Sequence, residues 1–297
     1  MRIGFILGVV GGVVAVLGTF VPNNGSFDTS IFWGSAGWGA LSVRLLQVIL
    51  LWGGPGVLAG VSIGGLRGVH PDRWAFALMA ASCVLMMEPL SRLIPLIEGR
   101  GLPYPGLWVT YAGIALAFAG GITAVRARCS GTEEEASDAA ASPGAPVLGP
   151  FVVITGAAIY VIATFLPYFP YALPGSGRTT RSMFDSVQGG TWIGACAVPL
   201  FIYGPAAVVI AVALAGRKGR GTRRWSLALL SATAVWGIPA LTMLALALIQ
   251  RTILPDFLVG YWGAQLGPTI ALAGGLVTMG RGRKMREADP QPVVVLS

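Results

Sequence analysis

The chain has 297 residues, of which 55% are hydrophobic and only 11% are charged, and its mean hydropathy is +0.74. Soluble domains carry about 25% charged residues, so this chain lacks the polar residues that would cover its apolar surface in water. The formal charge of +8 does not indicate a nucleic-acid partner, because the basic residues lie in short clusters between apolar runs. The composition therefore predicts an all-α integral membrane protein in contact with a lipid bilayer.

Eight apolar segments are long enough to cross the hydrocarbon core as helices, which takes about 20 residues each. They lie at residues 3–20, 41–66, 74–95, 107–125, 149–167, 193–215, 225–250 and 257–280. An acidic stretch rich in Ala, Ser and Pro separates the fourth segment from the fifth, and it lacks the apolar residues needed for a packed core. The chain therefore divides into a first four-helix transmembrane repeat (1–128), a flexible acidic linker (129–148), a second four-helix repeat (149–280) and a polar tail (281–297).

Positive charge is distributed unequally between the two sides of this arrangement. Fourteen of the 20 lysine and arginine residues fall on the side that holds both termini and the linker, and six fall on the other side. Loops rich in lysine and arginine remain in the cytoplasm, so the sequence predicts a multi-pass plasma-membrane protein with cytoplasmic N- and C-termini. That face should attract anionic lipid headgroups. Arginine outnumbers lysine 18 to 2, which is typical of a GC-rich bacterial genome.

The two groups of four segments share motifs in the same order, which is the pattern of an internal repeat. The matched pairs are Thr19-Phe20 with Thr164-Phe165, Gly54-Pro55 with Gly204-Pro205, Arg73-Trp74 with Arg224-Trp225, and Gly106 and Trp108 with Gly260 and Trp262. Because each group has an even number of spans, both enter the membrane in the same direction. The sequence predicts parallel repeats related by an axis along the membrane normal, as between the two halves of some transporters.

The glycine-proline pairs are the main candidate site: Gly54, Pro55, Gly204 and Pro205. Each proline lies twelve residues before the first cytoplasmic arginine of its repeat, which places both near the middle of the bilayer. Proline removes one helical hydrogen bond, and the freed carbonyl must be satisfied by protein, water or a ligand. The pairs are either packing kinks or part of a binding site. In both cases the second and sixth helices should be kinked or unwound there and face each other or a shared cavity.

Four ionisable residues are weaker candidates. Glu88 and Arg92 are one turn apart in the third segment and can form an intramembrane ion pair, or Glu88 can carry a proton or cation. Asp28 and Asp185 each follow a phenylalanine in the first external loop of their repeat. Roles in turns or helix caps compete with a functional role for both aspartates.

Glycines spaced four residues apart predict closely packed helices within the bundle or in a dimer. The first segment contains Gly4, Gly8 and Gly12, and the second contains Gly56, Gly60, Gly64 and Gly68.

Two classes of function remain for this sequence, and neither is enzymatic. It contains a single histidine, no metal-ligand cluster and no phosphate-binding loop, so no catalytic, cofactor-binding or metal-binding residue is predicted. The first class is a small transporter or permease with its site between the two repeats. The alternative is a non-catalytic membrane subunit or scaffold that packs against a partner protein or a second copy. A polar pocket between the repeats favours transport, and a filled interface favours the subunit.

Overall fold

The computed structural model describes residues 1–21, 41–68, 71–97, 105–129, 148–173, 177–182, 192–218, 222–249 and 259–288. Eight helices lie in these residues, one in each predicted segment, and the expectation of a helical fold is confirmed. They are α1 (Arg2–Gly18), α2 (Leu41–Arg67), α3 (Pro71–Ile97), α4 (Pro105–Cys129), α5 (Leu148–Ala163), α6 (Trp192–Lys218), α7 (Thr222–Ile249) and α8 (Val259–Ala288). We call α1–α4 the first helix group and α5–α8 the second helix group.

Within the residues that the structure describes, three helical stretches are long and apolar enough to cross a membrane, judged by length and composition. They are Val48–Arg67, Pro105–Ala127 and Arg224–Ile249. Three further apolar helices in the described residues are shorter, at Arg2–Gly18, Leu148–Ala163 and Ile202–Gly216.

One β-hairpin departs from the all-α expectation. Strand β1 (Pro167–Leu173) pairs antiparallel with strand β2 (Gly177–Ser182), within the stretch that the sequence predicts to be an external loop. The tyrosines and the phenylalanine of β1 favour a strand, but its two prolines weaken that signal. The hairpin lies between α5 and α6, and β1 packs against α8.

Helices α1 and α4 pack antiparallel along a line of glycines. A Cβ atom on Gly4 would lie 2.5 Å from the carbonyl oxygen of Gly120, and one on Gly11 would lie 2.5 Å from that of Gly113. Only a residue without a side chain allows the two backbones to approach this closely. The same arrangement joins α5 to α8, where the pairs are Gly149 with Gly274 and Gly156 with Gly267.

Small residues fill the interior of the bundle and large apolar residues cover its outside. More than half of the buried hydrophobic residues are alanine, whereas α1 alone exposes Ile3, Ile6, Val10, Val13 and Leu17. A soluble monomer rarely exposes so continuous an apolar surface. Bilayer helices have this distribution, because small residues let backbones pack closely and lipid accepts the large ones.

The helix contacts follow one pattern in both groups. Within each group the first helix packs on the fourth and the second, and the third packs on the fourth and the second. Three pairs of helices make the extensive contacts between the groups in the described residues: α3 with α7, α3 with α6, and α2 with α7. The central pair is therefore α3 and α7, with α2 and α6 on its flanks.

The helix ends rich in basic residues lie at one end of the bundle, here called the basic end. The start of α1 meets the end of α4 through Gly4 and Ala124. The starts of α3 and α7 meet where the rings of Phe76 and Trp225 lie 5.5 Å apart. The end of α2 lies beside the start of α3 at Gly68 and Trp74, and the end of α6 lies beside the start of α7 at Gly216 and Trp225. The opposite end, called the outer end, carries the hairpin.

Candidate functional site

The glycine-proline segments lie inside unbroken helices. Helix α2 continues through Pro55 and α6 continues through Pro205, so neither proline ends its helix. Having no N–H, Pro55 cannot donate to the carbonyl of Leu51 one turn earlier. Pro55 is buried, and its own carbonyl oxygen lies 2.9 Å from the position of a Cβ atom on Gly12 of α1. The α2 segment is therefore packed against protein at this level.

The same segments contact the opposite helix group. A Cβ atom on Gly53 of α2 would lie 2.9 Å from Cγ2 of Ile238 in α7. A Cβ atom on Gly204 of α6 would lie 2.6 Å from the sulfur of Met87 in α3. On the side toward α3 of its own group, Gly54 lies against Leu85. Apolar side chains of the opposite group therefore lie beside both segments. No extensive contact joins α2 to α6 in the described residues.

Two hydrogen-bonded clasps hold α2 and α6 to the ends of α1 and α5. In the first clasp, Trp52 Nε1 donates to Thr19 Oγ1 at 3.1 Å, and Thr19 donates to the carbonyl of Val16 at 2.7 Å. The ring of Trp52 also lies 5.4 Å from that of Phe20. The Thr-Phe motif therefore ends α1 and binds α2 at the outer end.

The second clasp has the same construction with a different aromatic residue. Thr164 Oγ1 lies 3.0 Å from the hydroxyl of Tyr203 and donates to the carbonyl of Val161 at 2.7 Å, so the tyrosine is the donor. The rings of Phe165 and Tyr203 stack with centroids 6.3 Å apart. Sequence reasoning identified both Thr-Phe motifs but missed their partners, because a tryptophan in one group takes the place of a tyrosine in the other.

The clasps fix how the two glycine-proline segments correspond. Tyr203 makes the contacts of Trp52, so the next residue, Gly204, corresponds to Gly53. The contacts with the opposite group agree, because Gly53 meets Ile238 and Gly204 meets Met87. By these contacts Pro205 is one residue out of register with Pro55, which is about 100° around the helix.

The centre of the contact between the groups is formed by α3 and α7. Ser231 of α7 is buried, and its Oγ lies 2.9 Å both from the carbonyl oxygen of Ala77 in α3 and from that of Ala228 in its own helix. Alanines and valines of α3 and α7 form one buried cluster around this hydrogen bond. This arrangement is a packed, mainly apolar joint.

One buried hydroxyl, at the contact between α1 and α2, has no hydrogen-bond partner in the described part of the chain. Ser62 of α2 is fully buried, and its Oγ lies against the backbone of Gly8 in α1, close to the Leu78 side chain. Within the described residues no hydrogen bond replaces the solvation that this hydroxyl loses on burial. The hydroxyl therefore lowers stability relative to an apolar side chain of the same shape.

The other predicted site residues are not brought together by the described structure. Glu88 and Arg92 lie one turn apart on the backbone of α3, but their side chains are outside the described residues. Asp28 and Asp185 also lie outside the described residues. The residues that the structure does describe contain no group of three or more His, Cys, Asp or Glu side chains that could hold a metal ion.

The glycine ridge predicted in the second segment divides into two parts. Gly64 and Gly68 lie against the indole of Trp74, which extends the packing of α2 on α3. Gly56 and Gly60 instead face outward, and a Cβ atom on either would have no heavy atom within 4 Å.

The fold, together with the packed joint of α3 and α7, defines a helical bundle with an apolar exterior and a tightly packed interior. Comparison with family profiles, with curated proteins and with solved structures gave no match to the chain.

Proposed function

We propose that the protein spans the plasma membrane eight times, as two parallel four-helix repeats with both termini and the linker in the cytoplasm. Three observations support this arrangement: the eight helices, their apolar outer surface, and the collection of basic helix ends at one end of the bundle. A bilayer of about 30 Å surrounds the bundle, and the basic end lies at the cytoplasmic, anionic face.

Matched contacts support the parallel repeat. The glycine pairs that join α1 to α4 recur between α5 and α8. The clasp of the first helix group also has a counterpart in the second. Between the groups, α2 meets α7 just as α6 meets α3, and α3 meets α7. A two-fold axis that runs beside α3 and α7 relates all of these contacts between the two groups. The starts of α3 and α7 meet at Phe76 and Trp225, as two helices running in the same direction do.

Within this membrane the protein acts as a non-catalytic subunit or scaffold. The observation that carries this proposal is the packed, mainly apolar joint between the groups. Ile238 and Met87 occupy the positions next to the glycine-proline segments, where a transported solute would need polar groups. A packed joint suits a rigid bundle that presents its outer faces to other membrane proteins.

The outward faces of α2 and α6 provide surfaces for such a partner or for a second copy of the chain. Gly56 and Gly60 are exposed on α2, and Ala207 and Ala211 are exposed on α6. Small residues four apart let another helix approach closely in a bilayer.

A small transporter or permease is the second candidate. The symmetric contacts of Gly53 and Gly204 with the opposite group favour it, because parallel-repeat transporters move one half against the other around such a joint. In a transporter, Gly53 and Gly204 would separate from the opposite group during each transport cycle.

Cysteine accessibility at the joint separates the two candidates without knowledge of a substrate. Met87→Cys or Ile238→Cys is placed in a variant whose three native cysteines are serine, and vesicles of both orientations are treated with an impermeant maleimide. A subunit predicts no labelling from either side. Labelling from one or both sides would overturn the subunit proposal and support a transporter. Arg126→Cys and Pro167→Cys, exposed at opposite ends, provide the positive controls.

The topology has a separate test with the same reagent. A cysteine introduced between residues 130 and 147 should react only in inside-out vesicles, because the linker is cytoplasmic in this arrangement. Strong labelling in right-side-out vesicles would reverse the proposed orientation.

A further inference from the structure

The hairpin between α5 and α6 has a distinct composition. Strand β1 holds three aromatic residues, β2 holds two arginines, and neither strand contains an acidic residue. The backbone register places Phe169 opposite Arg181 and Ala172 opposite Arg178. Positions directly opposite in an antiparallel pair share a face. Each face of the hairpin therefore has one arginine position, and the face of Arg181 also has Phe169 and Tyr171.

The start of the hairpin is fixed to the perimeter of the bundle. A Cβ atom on Gly260, at the start of α8, would lie 2.6 Å from the carbonyl oxygen of Leu166 and 2.7 Å from that of Pro167. The apolar residues beside this junction are exposed: Ile162 is 61% exposed and Val259 is 69% exposed. The hairpin therefore leaves the bundle where its surface is apolar, at the outer end.

We propose that the hairpin binds the phospholipid headgroups of the outer leaflet, an inference that rests on the eight-span arrangement above. Tyrosine rings are enriched at the headgroup level, where an apolar body and a polar tip are both accommodated. The guanidinium group of arginine forms paired hydrogen bonds with phosphate oxygens. The two strands contain two arginines and no acidic residue, and they begin next to the apolar surface of α5 and α8.

The occupant is a lipid surface rather than a protein because the hairpin is continuous with the exposed apolar side of α5 and α8. Ile162, Phe165 and Val259 border its start, and each is more than half exposed. In an eight-span bundle these residues contact acyl chains near the outer boundary. The strands that follow them therefore meet the headgroup layer directly.

A nitroxide at Ala172→Cys, in the full chain with its three native cysteines replaced, tests this proposal. The protein is placed in phosphatidylcholine vesicles with and without phosphatidylglycerol, and the label is followed by electron paramagnetic resonance. We expect an interfacial depth and an immobile component that grows with phosphatidylglycerol. Arg178→Gln and Arg181→Gln should each lower the ratio of immobile to mobile label about five-fold. Arg126→Gln, at the basic end, is the matched control and should leave this ratio unchanged.

The outcomes separate failure of the hairpin proposal from failure of the eight-span arrangement. A second label at Val10→Cys, on the exposed face of α1, should lie deep in the bilayer. If Val10 is deep but the hairpin label is aqueous, the hairpin proposal is wrong. An immobile hairpin label that ignores lipid charge and both arginines indicates a protein contact and also overturns it. If Val10 is aqueous, the eight-span arrangement itself fails.

Discussion

Substitution of Gly11 by alanine tests the glycine packing of α1 on α4. The new Cβ atom would lie 2.5 Å from both the amide nitrogen of Ala117 and the carbonyl oxygen of Gly113, closer than real Cβ contacts. Both are backbone atoms and cannot rotate away, so the two helices must separate. Overpacking of this kind costs about 1–3 kcal/mol, and we expect the upper end because a whole helix pair must move. Alanine recovers roughly 1 kcal/mol through helix propensity, which leaves a net loss of about 2 kcal/mol.

The assay is unfolding in mixed micelles with increasing dodecyl sulfate, followed by far-ultraviolet circular dichroism. Gly60→Ala is the matched control, because its Cβ atom meets no heavy atom within 4 Å. Measured on the monomer, this variant should be neutral or more stable by roughly 0.5–1 kcal/mol. Gly156→Ala in the second helix group should reproduce the loss, since its Cβ atom would lie 2.5 Å from the carbonyl oxygen of Gly267. Equal stability of the Gly11 and Gly60 variants would refute the packing argument.

Two further substitutions test the polar contacts by the same unfolding measurement. Tyr203→Phe removes the donor to Thr164 but keeps the ring, so it should lower the free energy of unfolding by about 1 kcal/mol. An unchanged value would contradict a stabilising role for the clasp hydrogen bond. Ser62→Ala removes a buried hydroxyl without a partner, so stability should stay constant or rise; a loss above about 1 kcal/mol would reveal a partner for that hydroxyl.

The positions of the eight helices could be predicted from the sequence because each helix lies in a long apolar run that polar residues separate from the next. Pro71 and Pro105 also mark the starts of α3 and α4, where proline suits the first helical turn. The glycines of the fourth and eighth segments indicated equivalent packing, since a close backbone contact tolerates no other residue. In the structure Gly106 lies against the end of α1, and Gly260 lies against the end of α5.

The register of the glycine-proline segments could not be read from the sequence. Matching the two prolines aligns identical residues, whereas the clasps align Trp52 with Tyr203, which share a hydrogen-bonding role but no sequence identity. The sequence also does not show which helices of the two groups pack on one another. Hydropathy does not say that α2 packs on α7 instead of α6, because small apolar residues occur all around these helices.

The divided glycine ridge of α2 has a geometric cause. Four residues make slightly more than one helical turn, so each step of four rotates by about 40°. Three such steps separate Gly56 from Gly68 and rotate the position by about 120°. The first two glycines of the row consequently face outward while the last two contact Trp74. A spacing of four residues describes one packing surface only over two or three turns.

Disulfide cross-linking between the two helix groups tests the central claim most directly. The Cβ position of Gly53 lies 3.8 Å from Cβ of Ile238, and that of Gly204 lies 3.3 Å from Cβ of Met87, both near the separation found in disulfides. Each pair is changed to cysteine in a variant without native cysteines and with a protease site in the linker. After mild oxidation and linker cleavage, both pairs should hold the fragments together on a non-reducing gel, whereas a control pair with Gly56 in place of Gly53 should release them. Release of the fragments by both designed pairs would contradict the two-repeat arrangement and the packed joint between the groups.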